Sequence, residues 1–180
     1  RESMISIARL LLFFVITMGY NAFFRNTVKM NRSLTWVFTF SVITLVLYLG
    51  SLLGFMLQTV YAISVLGCLL SLYYLWAVWK KKYRFRRLDY IALGMMAYLL
   101  LFGITLWHSP LLHYDNFTHW ATIVKFFHIN NALPTQQDTI ISYYTYPVGS
   151  SLFIYFFTTI VGFSEGSMLV GQFFLIASSL

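Results

Sequence analysis

Lys80-Lys81-Lys82-Tyr83-Arg84-Phe85-Arg86-Arg87 holds six of the chain's twelve Lys and Arg residues, and long apolar runs flank it on both sides. Apolar runs of about 20 residues cross a bilayer as helices, and cytoplasmic loops near their ends collect Lys and Arg. The stretch is therefore expected on the cytoplasmic face. A second basic loop, at 25–33, carries Arg25, Lys29 and Arg32, so nine of the twelve basic residues fall in two short loops. Alternation of faces then places the 54–58 turn and the long segment 108–147 outside, and the 163–167 turn inside.

Composition agrees. The chain is 59% apolar, 20% aromatic and 9% charged, with a mean hydropathy of +0.74, whereas a soluble domain carries about 25% charged residues. A body of this size cannot hide so much apolar surface from water, so lipid must cover it. The net charge of +7 is topology bias, and nucleic acid is not an expected partner. The single cysteine, Cys68, lies in an apolar run, which excludes a disulfide framework or a cysteine-rich metal site.

Six membrane segments are expected, at about 4–24, 34–54, 58–79, 88–107, 148–163 and from 167 onward. The fold class is all-α: a polytopic transmembrane helix bundle with an interfacial amphipathic helix in its outer loop. Residues 1–87 would form three N-terminal helices with basic cytoplasmic loops, and 88–180 the helices that flank the outer segment. A chain that begins at Arg1 and ends within an apolar run is expected to be a piece of a longer protein.

Segment 108–147 is long for a connection, and loops beyond about 12–15 residues tend to carry function. It holds all four histidines, two of the five carboxylates and one base, Lys125. Within it Phe117, Trp120, Ile123, Val124, Phe127 and His128 recur at helical spacing, predicting a helix over Asn116–Ile129. Asp115 or Asn116 would cap it, and Asn130-Asn131 with Leu133-Pro134 would end it. Fourteen residues are too few to span a bilayer, so the helix either lies in the interface plane or packs on the bundle.

Asp115 is the first chemical candidate. A carboxylate beside low-dielectric surroundings is pushed toward general-base strength, while a helix N-terminus stabilises its anion; a plain cap is the competing role. Lys125 offers a point charge for a phosphate or simply snorkels. The four histidines match no compact zinc spacing, so no metal site is expected. Tyr143-Tyr144-Thr145-Tyr146-Pro147-Val148-Gly149 marks a helix start at an aromatic belt.

The order of these pieces carries a resemblance. Tyr114-Asp115-Asn116-Phe117-Thr118-His119-Trp120, a helix bearing Lys125, Asn130-Asn131-Ala132-Leu133-Pro134, and Tyr146-Pro147-Val148-Gly149 opening the next membrane helix resemble the first outer loop of GT-C type integral-membrane glycosyltransferases. The match covers about 88–163. It implies an enzyme of the plasma membrane that takes a sugar from a polyprenyl-phosphate carrier and transfers it, with inversion, to a glycan or other acceptor on the outer face. On that resemblance Asp115 is the catalytic residue, as base or as a group that helps bind the donor or a metal, and Asn116, His119, Lys125, Tyr146 and Pro147 bind substrate. No cofactor is implied beyond a divalent metal in some members. Where many members pair two acidic residues, Asn116 follows Asp115 here. Val148 stands where a second proline is common, and three segments precede the loop where the usual order has one. The other readings are a transporter or flippase, and a non-catalytic subunit of a polysaccharide-assembly system.

Overall fold

The computed structural model describes residues 2–80, 90–138, 141 and 146–179. The basic run from position 81 onward and the tyrosines at 143 and 144 lie outside these residues. The described residues form eight helices and no strand: α1 Glu2–Asn26, α2 Arg32–Leu52, α3 Met56–Trp79, α4 Tyr90–Trp107, α5 Tyr114–Thr118, α6 Trp120–Asn130, α7 Gly149–Val161 and α8 Glu165–Ala177. Spans within α1, α2 and α3 are long and apolar enough to cross a membrane; Met96–Trp107 of α4, and α7 and α8, are shorter apolar helices. The chain is a membrane-embedded helical bundle with three such spans among its described residues, where the sequence suggests six segments. Leucines on the outside of the bundle, such as Leu11, Leu72 and Leu101, are largely exposed, as lipid contact requires.

Small residues set the first contact. Gly67 and Ser71 on α3 sit one turn apart against Val15, Ile16 and Gly19 of α1. A Cβ on Gly67 would lie 2.6 Å from Ile16 Cγ2, and one on Gly19 would lie 2.8 Å from the Ser71 nitrogen. Without such side chains the two backbones approach closely, which is how membrane helices associate when apolar burial gives no advantage over lipid. The Tyr20 hydroxyl donates to Ile63 O at 2.8 Å across the same seam.

The centre of the bundle is α7. Its residues Ser151 to Thr158 are all buried, against α1, α2, α6 and α8. Phe13 meets Phe157 at a ring separation of 4.8 Å and Phe153 at 6.4 Å, and Phe40 closes a triangle with Phe13 at 6.4 Å and Phe153 at 4.6 Å.

The direction of α7 corrects one expectation. Trp107, at the C-terminal end of α4, abuts Gly166 at the start of α8, and Phe102 pairs with Phe173 at 5.0 Å, so α4 and α8 are antiparallel neighbours. Arg9, near the N-terminal end of α1, reaches the same turn, 3.4 Å from where a Gly162 Cβ would stand. The α7–α8 turn therefore lies at the end of the bundle where α4 finishes. An inside position for 163–167 and an outside position for the segment leaving α4 exclude each other. The physical reason is length: at 1.5 Å per residue the 13 residues of α7 cover about 20 Å, against a hydrocarbon core of about 30 Å. The chain leaving α4 turns back into the bundle before α7 rises again.

Candidate functional site

The returning segment is not the single helix expected over 116–129. It breaks at His119, whose φ of −125° and ψ of −107° are not helical, giving α5 and then α6. Neither Asp115 nor Asn116 caps it. The cap of α5 is His113, whose Nδ1 accepts from the Asp115 backbone N–H at 3.3 Å, leaving Asp115 in the first turn. The far end matches the expectation: Asn131 closes α6 in the left-handed conformation, φ 49°, with its N–H bonded to Phe127 O.

The break sets the direction of α6. The Ser151 hydroxyl donates to Trp120 O at 3.2 Å, and His128 Nε2 meets the Thr158 hydroxyl at 2.8 Å. Start therefore matches start and end matches end, so α6 runs parallel to α7, packed on the bundle rather than lying across its end. Trp120, Ala121 and Val124 form a small core with Leu111, Ile154 and Met168, and the Glu165 carboxylate accepts from Leu111 N–H at 3.0 Å. These contacts anchor both ends of the stretch that carries Asp115.

Beside that anchor lies an open cleft of about 430 Å³. Asp115, Asn116 and His119 line it from α5 and the break, Tyr146 from the approach to α7, and Trp120 from α6. The His119 ring meets the Tyr146 ring edge-on at 4.9 Å. Thus Asp115, Asn116, His119 and Tyr146, all singled out from sequence, meet in one place. Lys125 does not: it stands five residues beyond Trp120, about 140° round the helix, and is not among the lining residues. Pro147 precedes α7 and does not line the cleft either. The sequence reading missed His113, Trp120 and Gln172, the last brought in from α8.

His113 and Asp115 form the cleft's one ion-pair geometry among the described residues, with Nδ1 to Oδ2 at 3.4 Å and side chains 74% and 60% exposed, respectively. At that exposure the pair contributes at most about 1 kcal/mol. When His113 is neutral, its Nδ1 lone pair accepts the Asp115 N–H, so its proton sits on Nε2. The arrangement leaves the Asp115 carboxylate open to the cleft, with its backbone held.

The remaining histidines scatter. His108 Nδ1 bonds Ile104 O at 2.9 Å. His128 packs on Tyr155 and Phe163, and burial pushes its pKa down from 6.5 to about 4. Because the Thr158 hydroxyl donates to Ile154 O at 2.8 Å, it accepts from His128, which fixes the proton on Nε2. Among the described residues no three His, Cys, Asp or Glu side chains come together as a metal site.

Fold and site define a polytopic helical membrane protein with a polar cleft set between a re-entering segment and a short central helix. No family model, curated protein or solved structure matches the chain.

Proposed function

We propose that the protein is a GT-C type glycosyltransferase that moves a sugar from a polyprenyl-phosphate carrier to a glycan or other acceptor at the outer face of the cell membrane. One observation supports this reading above the rest: Asp115, Asn116, His119 and Tyr146, spread over 32 positions, line a single cleft with an accessible carboxylate. In the reaction Asp115 takes the proton of an acceptor hydroxyl. The acceptor oxygen then bonds to the anomeric carbon as the bond from that carbon to the carrier's phosphate oxygen breaks, releasing polyprenyl phosphate. Attack opposite the leaving group inverts the anomeric centre. Asn116, His119 and Tyr146 hold the substrate. Phosphate binding by Lys125, which the resemblance implies, has no support in its position on α6.

The test compares surface glycan composition in wild type, a deletion and Asp115→Asn, at matched membrane levels of full-length protein. Loss of the same sugar in the deletion and in Asp115→Asn is the expected result. A fully active, normally inserted Asp115→Asn protein would refute the enzyme reading.

The transporter or flippase reading has one feature in its favour. Short helices that start within a bundle are used by transporters to aim N-termini at substrate, and α7 is short, buried and begins inside the bundle. Under that reading Asp115→Asn leaves transfer chemistry untouched while carrier-linked sugar accumulates on the cytoplasmic face.

A further inference from the structure

We propose that the cleft holds the sugar ring rather than the phosphate of a carrier-linked substrate, and that Gln172 is a specificity-determining residue for that sugar. This deepens the proposed function and rests on it only for the identity of the larger substrate.

Gln172 is out of place by composition. From Met168 to Ala177 every other residue of α8 is apolar or glycine. A polar amide within an apolar membrane helix is costly unless it is paired, and such residues mark substrate paths. Gln172 lies seven residues, about 10 Å, along α8 from Glu165. That is level with Phe102 and Phe173 of the α4–α8 seam, well inside the end of the bundle. There it lines the cleft that Asp115 also lines. Among the described residues its amide has no hydrogen-bond partner. A half-buried amide without a protein partner, on the wall of a cleft, is suited to a ligand that brings its own donors and acceptors.

The chemistry of the walls selects that ligand. An amide offers two donors and an acceptor, and Asn116 and Gln172 supply two such amides. The Asp115 carboxylate accepts only, the Tyr146 hydroxyl both donates and accepts, and Trp120 presents an aromatic body. Among the described residues that line the cleft there is no Lys or Arg. Recognition of a phosphate calls for such cations; His113, held against the Asp115 carboxylate, and His119 are the cleft's other nitrogen groups, and a neutral imidazole offers one donor and one acceptor to a hydroxyl. A ring of neutral hydroxyls, each donor and acceptor together, matches this set. About 430 Å³ is room for one sugar ring with ordered water, within the usual range for small-ligand sites.

The test uses full-length protein in nanodiscs and saturation-transfer NMR with methyl α-glucoside, methyl α-mannoside, methyl α-galactoside and N-acetylglucosamine as probes, with inorganic phosphate as competitor. Gln172→Met keeps the length of the side chain and suits the apolar helix, so it folds. The expected result is saturable binding of at least one sugar, weakened about tenfold by Gln172→Met, with an altered order of preference and no competition by phosphate. Absence of saturable binding, equal binding by Gln172→Met, or displacement by phosphate overturns the proposal. The transferase reading fails separately. If sugars bind but Asp115→Asn still transfers, the cleft is a sugar site in a protein that is not a transferase. If Asp115→Asn is inactive while Gln172→Met binds and transfers like wild type, the enzyme stands and this assignment falls.

Discussion

Replacing Gly166 by alanine tests the contact on which the cleft depends. A Cβ there would lie 2.6 Å from the Trp107 carbonyl carbon and 3.0 Å from its Cα. Ordinary contact begins at 3.4 Å, and the obstacle is backbone, which cannot rotate away. The Trp107 carbonyl oxygen is closer still, so to relieve the clash α8 must retreat from α4 by more than an ångström, which also stretches the Leu111–Glu165 hydrogen bond of 3.0 Å. Overpacking costs about 1–3 kcal/mol, so with the weakened bond a loss of about 2–3 kcal/mol is expected. At roughly 2–4 °C per kcal/mol for a chain of this size, Tm in detergent should fall by about 4–12 °C. Gly103→Ala is the matched control, since its Cβ would meet nothing within 4 Å and alanine favours a helix by about 0.5–1 kcal/mol. Because α8 carries Gln172, the same retreat should reduce sugar transfer at matched protein level. A second readout addresses topology directly. In a Cys68→Ser background, Phe163→Cys and Ser109→Cys should react with a membrane-impermeant thiol reagent from the same side. Equal Tm values for Gly166→Ala and Gly103→Ala, or labelling of the two cysteines from opposite faces, would refute the seating of α8 on the end of α4.

Three further outcomes follow from the same packing. The pKa of His128 is lowered to about 4 in the folded protein against 6.5 for the free side chain, so the unfolded state binds more protons between these values. Stability should be full above pH 6.5, fall as the pH drops toward 4 and level off below; His128→Gln should flatten that slope in a pH series of thermal melts. Tyr146→Ala removes both its hydroxyl and the edge contact with His119 at 4.9 Å, the latter worth about 0.5–1.5 kcal/mol, and should lower transfer several-fold, whereas Tyr146→Phe keeps the ring contact, loses only the hydroxyl and should cost less. Gly67→Ala puts a methyl 2.6 Å from Ile16 Cγ2 and 2.8 Å from Ile16 O, and should lower Tm in detergent, while Gly94→Ala, with open space around it, should not.

How far the sequence carries the structure depends on how each feature is encoded. The three long spans were legible because hydropathy is a sum over some twenty residues, and tertiary contacts do not cancel it. The convergence of Asp115, Asn116, His119 and Tyr146 was legible only as an order of motifs. The break at His119 was hidden, since Phe117, Trp120, Ile123, Val124 and Phe127 keep helical spacing straight through it. What holds the chain beyond the break is the bond from Ser151 to Trp120 O and the burial of Trp120 with Ile154 and Met168, all distant in sequence. The direction of α7 was misjudged because 148–163 was counted as a crossing although it is short of the twenty residues a crossing needs. That shortfall was the available warning, and Glu165 without a base in the following turn was a second. Gln172 had no motif around it. Its only signal was a lone amide in an apolar helix, and the reason that signal matters, a place on the cleft that Asp115 also lines, goes with the seating of Gly166 on Trp107. A glycine that lets two helix ends touch thus helps decide which polar residue of α8 reaches the cleft, so the identity of the cleft is set as much by backbone approach as by the side chains that line it.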